Sequence, residues 1–396
     1  MLFEATLEPG ARRESPEEID SGMGRICVPY RLCLLGEHVD HQGGTTLSFA
    51  LDRGIRFDFE AVQGPEVTVE APSLGTRFVG RVDEPWPRRD DGSAYLGGMI
   101  RELQRQRGLT RGLRGEIRAE FPGGGVSSSA AVQIAYGAAL LEVNDLTLDP
   151  HTFCDAVLNS ERSFVGVQVG ALDPMSILFA ARDALLEIDH RTLALRLVRW
   201  PAKIPAPRWA LVHSGVRRRL DASPYNARVR ECAAAAESLE PGCRRLMDVA
   251  EDRRSGWERL PEPLRSRARH VFTEAARVEA GRTAWEQGRN EELGRLIQAC
   301  GESCVHDFDV GHEALTFLVG RLREIPGVLG ARFTGAGFGG AVMALLSPDA
   351  EEEPIRALLG GDYARRWPDA AGRACVAFPN MGDGFTSPVL APDAAL

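Results

Sequence analysis

A run of glycines and serines is the segment of this sequence with the plainest chemistry. Glycines let a backbone approach a phosphate closely, and the N-terminus of a following helix presents free N–H groups and a positive dipole. The run therefore suits a nucleoside triphosphate, although a tight turn with helix-capping serines would use the same residue types. Its members are Gly123, Gly124, Gly125, Val126, Ser127, Ser128 and Ser129.

A second cluster brings acidic, basic and imidazole side chains together directly after a strand pattern. Arg31, Glu37, His38, Asp40 and His41 fall within eleven residues. Several polar groups that converge on one place are what a hydroxyl-rich ligand requires. A solvated loop is the alternative interpretation.

Two later segments add candidate residues. Glu161, Gly170 and Asp173 lie in a stretch rich in apolar residues and glycine. An isolated acid such as Asp173 could act there as a general base or cap a helix. The glycine-rich run over residues 330–340 matches no dinucleotide-binding fingerprint in full, and by itself it is a weak signal.

The elements that position these residues follow from periodicity and from the placement of glycine and proline. Alternating patterns predict strands, and patterns of period 3.6 predict helices. The predicted strands lie within residues 24–60, 115–121, 209–213 and 332–346, and the predicted helices over 127–143, 228–236 and 274–300. Three prolines within residues 201–207 indicate a linker, so we place a domain boundary between residues 203 and 204. This order of elements predicts the α+β class.

Composition excludes several other classes of protein. The chain has 396 residues and a net charge of −9, and Lys203 is its only lysine, so a P-loop and the protein-kinase signatures are absent. The acidic balance disfavours nucleic acid as a partner. No apolar stretch reaches the roughly 20 residues that cross a bilayer, and residues 1–20 are too acidic for a signal peptide. Eight cysteines without metal-ligand spacing predict reduced thiols in a cytoplasmic protein.

Taken in order, these segments resemble the GHMP small-molecule kinases, and within them the galactokinase branch. Residues 29–44 are similar to that branch's signature, residues 121–131 to the family's glycine–serine loop, and residues 330–340 to its closing glycine motif. The resemblance implies two α+β domains, the first like the second domain of ribosomal protein S5 and the second ferredoxin-like. Those domains would cover residues 21–203 and 204–396, after an extension over residues 1–20.

The resemblance also implies an activity and a role for each candidate residue. The reaction is transfer of the ATP γ-phosphoryl group to the anomeric hydroxyl of a hexose, with ATP bound by residues 123–129. Arg31 and Asp173 would be catalytic, with Asp173 as the base. The implied sugar-binding residues are Glu37, His38, Asp40, Gly170 and Tyr225, and the implied Mg²⁺ ligands are Ser129 and Glu161. The expected partners are a small sugar and ATP, and the expected state is a monomer or weak homo-oligomer.

Some positions depart from the pattern that the family carries. Pro174 follows the catalytic aspartate and deletes an N–H, which predicts a changed geometry for that base. Tyr30 and Cys33 replace a glycine and an asparagine of the first motif. Of two aromatic residues expected near adenine, only Tyr95 is present.

The identity of the sugar is left between two candidates. Several segments look more like plant-type galacturonokinases, but those carry alanine where this chain has Glu37. In galactokinases the matching glutamate faces the C6 hydroxyl, so the resemblance implies that Glu37 would repel a C6 carboxylate by roughly 4 kcal/mol at about 4 Å and an effective dielectric constant of about 20. We therefore expect D-galactose ahead of D-galacturonate. A sugar- and ATP-binding sensor without turnover is the alternative from another functional class.

Overall fold

The computed structural model describes residues 23–89, 91–216 and 223–391. The extension predicted over residues 1–20 lies outside the described residues. Helices and strands are mixed along the chain, and the strands form two separate sheets, so the predicted α+β class is confirmed.

Twelve strands make up the two sheets of the described residues. They are β1 (Gly24–Leu35), β2 (Thr45–Ala61), β3 (Glu66–Ala71), β4 (Thr76–Arg81), β5 (Leu113–Ala119), β6 (Ala184–Asp189), β7 (Ala194–Arg199), β8 (Arg208–His213), β9 (Val328–Phe333), β10 (Ala341–Leu346), β11 (Cys375–Ala377) and β12 (Met381–Gly382). The first sheet has eight strands, and the long β2 at its centre pairs with β1, β5, β6 and β12. The second sheet has four antiparallel strands in the order β11-β8-β10-β9.

The alternation that predicts strands around residues 24–60 is visible in the packing of β2. Ile55, Phe57 and Phe59 are buried in the core. Arg56 and Asp58 point to the other face, where Nε of the arginine lies 2.6 Å from Oδ2 of the aspartate. Because successive side chains of a strand alternate between faces, one register places all three apolar residues inside.

Twelve helices are present in the same described ranges. They are α1 (Ser93–Arg107), α2 (Ser128–Val143), α3 (Pro150–Asn159), α4 (Leu172–Phe179), α5 (Ser223–Leu239), α6 (Glu251–Arg254), α7 (Leu264–Glu286), α8 (Asn290–His306), α9 (Glu313–Leu322), α10 (Glu353–Arg356), α11 (Gly361–Arg366) and α12 (Pro368–Ala371). A π-helical turn, Ser160–Val165, follows α3. In the part of the chain that the structure describes, no helix is both long and apolar enough to cross a bilayer.

The helix predicted over residues 127–143 is confirmed as α2. The single helix predicted over residues 274–300 is wrong, because the chain forms α7 and α8 there. Gly288 adopts a left-handed φ of 68°, a conformation that ends helices and suits a residue without a side chain.

The end of the described chain returns to the first sheet. The linker segment 201–207 separates β7 from β8, which is the first strand of the second sheet. After β11, however, β12 pairs with Leu51 and Ala50 of β2. The boundary between residues 203 and 204 stays a prediction, but the sheets show that the C-terminal segment also packs on the N-terminal half.

Two glycine loops pack directly against each other where the two sheets meet. A Cβ atom added to Gly124 would lie 2.7 Å from Cα of Gly340, and one added to Gly340 would lie 2.5 Å from the carbonyl carbon of Gly124. Gly340 also has a φ of 92°. The loop after β5 and the loop before β10 therefore touch backbone to backbone, which only glycine permits at these two positions.

We expect Gly340→Ala to destabilise the protein by about 1 to 3 kcal/mol, because the new Cβ adds backbone strain and a clash with Gly124. Thermal unfolding would show the loss as a lower Tm. Gly320→Ala is the matched control, since Gly320 is exposed within α9 and nothing lies within 4 Å of its added Cβ. An equal effect of the two substitutions would contradict the proposed importance of the loop contact.

Candidate active site

One pocket between the two halves of the chain gathers most of the residues singled out in the sequence. Its walls come from β1, the glycine–serine loop, α2, α4, α5 and the loop before β10. The lining residues are Arg31, Glu37, His38, Asp40, Tyr95, Gly123, Gly125, Ser127, Ser128, Ser129, Glu161, Val167, Val169, Leu172, Asp173, Tyr225, Gly335 and Ala336. Of the predicted site residues, Gly124, Val126 and Gly170 are not among those that line it.

Arg31 and Asp173 form an ion pair at the centre of the pocket. The Nη2 and Nε atoms of the arginine lie 2.6 Å and 2.8 Å from Oδ1 of the aspartate. The arginine side chain is 4% exposed and the aspartate side chain 23% exposed. The buried guanidinium therefore fixes a carboxylate that remains open to a ligand.

Pro174 does not separate Asp173 from this partner. It lies in the first turn of α4, whose first helical hydrogen bond is donated by Met175 N–H to the carbonyl of Ala171. A proline in the first turn deletes an N–H that has no acceptor within the helix. Pro174 therefore costs α4 no internal hydrogen bond, and its effect on the geometry of the aspartate stays a prediction.

Strand β1 also holds the glycine–serine loop in place. The N–H of Arg31 donates to the carbonyl of Val126 at 3.3 Å. The hydroxyl of Tyr30 donates to the carbonyl of Phe121 at 3.0 Å. Tyr30, a departure from the family pattern, thus links β1 to the start of the loop by a hydrogen bond. Val126 contributes its backbone carbonyl to the second hydrogen bond.

Glu37 is buried against a second arginine that the sequence did not single out. Its Oε2 atom accepts from Nη1 of Arg332 at 2.9 Å and from the N–H of Gly335 at 3.3 Å. Burial raises the pKa of Glu37 above the usual carboxyl value, and Arg332 opposes the shift. A single arginine among buried apolar residues of a predicted strand was the available signal for this partner.

His38 and Tyr225 form an aromatic wall beside Glu37. The His38 ring stacks on Phe308 with centroids 4.6 Å apart, and its centroid lies 6.2 Å from that of Tyr225. Burial holds the pKa of His38 well below its usual range. The buried Nε2 atom of His38 has no hydrogen-bond partner among the described residues, so it can serve a ligand.

Gly170 contributes space to the site. A Cβ atom at this position would lie 2.2 Å from Oδ2 of Asp40. The Asp40 carboxylate is held by the N–H groups of His41 and Leu172, at 2.9 Å and 3.4 Å. The absence of a side chain at Gly170 therefore allows Asp40 to line the pocket, and direct contact of Gly170 with a sugar stays a prediction.

The glycine–serine loop ends in a helix N-terminus without a side-chain cap. Ser127 is the N-cap residue of α2, has a left-handed φ of 59°, and makes no capping hydrogen bond. Its buried hydroxyl oxygen has no partner among the described residues. The capping interpretation of the first serine is therefore wrong, and a free hydroxyl and free helix N–H groups face the pocket together.

Glu161 and Ser129 lie at the same end of the pocket. Gln133 of α2 joins them, because its Nε2 atom donates to Oε2 of Glu161 at 3.3 Å and to the carbonyl of Ser129 at 3.2 Å. The described residues contain no cluster of three or more His, Cys, Asp or Glu side chains placed to hold a metal. A cation bound here would need oxygen ligands from a nucleotide as well.

Profiles of known families match three stretches of the chain. GHMP kinases N terminal domain matches residues 94–181, GHMP kinases C terminal matches residues 282–361, and the galactokinase galactose-binding signature matches residues 18–57.

Curated relatives match along most of their length. A galacturonokinase of Arabidopsis thaliana is 33% identical over 384 residues, which cover 89% of this chain and 90% of that protein. A galactokinase of Roseiflexus sp. strain RS-1 is 33% identical over 358 residues, with 89% and 90% covered. The chain belongs to the galactokinase branch of the GHMP kinases.

Solved structures agree with this membership. The galactokinase of Lactococcus lactis complexed with galactose is 26% identical, superimposes with a TM-score of 0.81, and is covered to 95%, with 92% of this chain. The mevalonate kinase of Methanococcus jannaschii, at 17% identity and a TM-score of 0.63, shares the fold. The predicted GHMP kinase fold is confirmed, and this galactokinase-like protein is a phosphotransferase of the sugar-kinase type.

We expect acid to weaken this sugar kinase through His213, which lies beside the glycine loop. Burial lowers the pKa of His213 to about 4, whereas an unfolded histidine titrates near 6.5. The unfolded state therefore binds more protons between these values, and His213 alone removes about 2 to 3 kcal/mol of stability by pH 4.5. Thermal unfolding at pH 7.5 and 4.5 measures the loss.

His213→Gln should reduce the drop in Tm between the two pH values, because glutamine does not titrate. His306→Gln is the control, since His306 is exposed on α8. If both variants lose as much Tm as the wild type, the acid sensitivity comes from other groups.

Proposed function

We propose that the protein is an ATP-dependent sugar 1-kinase, which transfers the γ-phosphoryl group to the anomeric hydroxyl of a galactose-configured sugar and prefers D-galactose. The observation that carries the proposal is the Arg31–Asp173 ion pair, which shares one pocket with the polar residues Glu37, His38 and Asp40 and with the uncapped glycine–serine loop. These are the parts that phosphoryl transfer requires: positioning, charge stabilisation and a group that accepts the hydroxyl proton.

Asp173 would accept the proton of the anomeric hydroxyl as that oxygen attacks the γ-phosphorus. Its Oδ1 atom is occupied by Arg31, so the second carboxylate oxygen is the one available for the proton. The guanidinium of Arg31 would offset negative charge as it develops on the transferred group. Such a group contributes most in a buried site that is organised before the reaction.

The glycine–serine loop fits a nucleoside triphosphate and Mg²⁺. The unpaired hydroxyl of Ser127 and the free N–H groups at the start of α2 supply donors for phosphate oxygens. Ser129 and Glu161 would hold the cation together with those oxygens, and a bound Mg²⁺ supplies charge neutralisation.

The charges around the proposed sugar-binding residues Glu37, His38 and Asp40 favour a neutral substrate. Arg31 is paired with Asp173 and Arg332 with Glu37, so neither arginine is left over for a substrate carboxylate. Galacturonate is the second candidate, because the A. thaliana relative is a galacturonokinase.

The free thiols of all eight cysteines agree with a cytoplasmic location. We also propose a monomer or weak homo-oligomer.

The test is ADP release with Mg·ATP over a panel of galactose, glucose, arabinose, galacturonate, glucuronate, mevalonate and homoserine. Activity on galactose above all others is the expected result. Higher activity on galacturonate would reject the proposed preference. Ligand-dependent stabilisation without ADP release would reject catalysis and favour a sensor.

We expect Asp173→Asn to lose turnover by about 100- to 10,000-fold, the range that loss of a general base produces. Asparagine has nearly the same shape, so sugar binding should persist, as measured by calorimetry without ATP. Turnover close to the wild-type value would contradict the role of Asp173 as the base.

A further inference from the structure

A second cavity lies next to the candidate active site. Its volume is about 510 Å³, which is within the usual range of pockets for small molecules. Asp40 and Val169 line both spaces, so the two are direct neighbours. Apart from Asp40 and Gly170, none of the residues that line the second cavity has a part in the proposed phosphoryl transfer.

Basic side chains from several parts of the chain line this second cavity. The lining acids are Asp40 and Asp155. Guanidinium and imidazole N–H groups that come from separate segments can donate to the several oxygens of one phosphoryl group. The basic residues are His41, His151, Arg162, His190, Arg191 and Arg245.

Arg162 is the guanidinium of the second cavity that is available to a ligand. Its Nε atom donates to the carbonyl of Val169 at 2.7 Å, whereas its Nη atoms make no hydrogen bond or ion pair to the described residues. In contrast, the Asp248 carboxylate lies 2.6 Å from Nε of Arg245 and 3.5 Å from Nε of Arg191. The bond to Val169 therefore orients Arg162 and leaves its Nη donors unused.

Two imidazoles add buried polar atoms without partners. Oε1 of Gln42 accepts from the N–H of Leu246 at 3.0 Å, so Nε2 of the same amide donates to Nδ1 of His41 at 2.7 Å. The proton of the neutral His41 ring is then on Nε2, which has no partner among the described residues. Nδ1 of His190, a residue only 5% exposed, is likewise unpaired in the described part of the chain. Such atoms are rare, and a bound ligand can satisfy them.

The other walls of the second cavity favour a phosphorylated sugar over a bare anion. A phosphate ion would fill only part of about 510 Å³. The carboxylates of Asp40 and Asp155 would repel a second anionic group but can accept hydrogen bonds from hydroxyls. Leu158 and Met175 supply apolar surface for the carbon atoms of a sugar ring. One anionic group and several hydroxyls on a small ring match this combination.

We propose that the second cavity is a binding site for a phosphorylated sugar, distinct from the active site. The Nη atoms of Arg162 and the Nε2–H of His41 donate to the phosphoryl oxygens, and Asp155 accepts from sugar hydroxyls. This site goes beyond the proposed kinase function, because the active site holds its own sugar and nucleotide at the same time.

The first experiment is calorimetry on the full chain at constant ionic strength, with galactose 1-phosphate and orthophosphate as probes. Galactose, Mg²⁺ and a non-hydrolysable ATP analogue fill the active site beforehand. We expect galactose 1-phosphate to bind once per chain and orthophosphate to bind more weakly, because it makes only the phosphoryl contacts. No binding of galactose 1-phosphate, or equally tight binding of orthophosphate, would overturn the proposal.

The second experiment repeats the titration with two arginine variants. Arg162→Gln should weaken binding of galactose 1-phosphate roughly 10- to 100-fold, the effect of losing one charged donor. Arg162 is exposed, so the variant should fold, and its Tm checks this. Arg295→Gln is the matched control, since Arg295 is exposed on α8 and makes no ion pair to the described residues. Equal affinity in the two variants would overturn the proposal.

Failure of this inference is distinguishable from failure of the proposed function. Absence of ADP release with every sugar of the panel would reject the kinase and leave the second cavity to be tested without the ATP analogue. In that titration, weaker binding in Arg162→Gln than in Ser127→Ala supports the second site. Loss of binding in Ser127→Ala alone would place the phosphoryl group at the glycine–serine loop and overturn the proposal.

Discussion

The active site depends on the direct packing of two glycine loops. Gly124 and Gly340 approach so closely that neither position has space for a Cβ atom. This contact fixes the glycine–serine loop against the loop that precedes β10 of the second sheet. Because the loop that contains Gly340 also supplies Gly335 and Ala336 to the pocket, the same contact positions this loop relative to the glycine–serine loop within the pocket.

Two buried ion pairs in the pocket join residues from different elements. Arg31 of β1 holds Asp173 of α4, and Arg332 of β9 holds Glu37 after β1. A buried ion pair adds little net stability, since the loss of hydration offsets much of the attraction. Its value here is orientation, because each arginine fixes one oxygen of a carboxylate and leaves the other for a ligand.

Much of the site could be predicted from the sequence because its residues fall in short motifs. Local spacing predicted helix α2 and its glycine loop. Asp40 and Glu161 were also candidates from the residue pattern, and their expected roles came from the family resemblance. Arg332 could not be assigned a role in this way, since its partner Glu37 is 295 residues distant. The break at Gly288 was missed for another reason: α7 and α8 both contribute buried residues to the core, so helical apolar patterns occur on both sides of the glycine.

The sequence by itself determined the fold class, the family and the residue types of the site, because periodicity, glycine placement and ordered motifs are local properties of the chain. Only the tertiary structure decided which charges neutralise each other. It also decided that Gly170 makes room for Asp40 and that the hydroxyl of Ser127 is left unpaired. Those outcomes depend on distances between segments remote in sequence, and packing of the two sheets sets such distances.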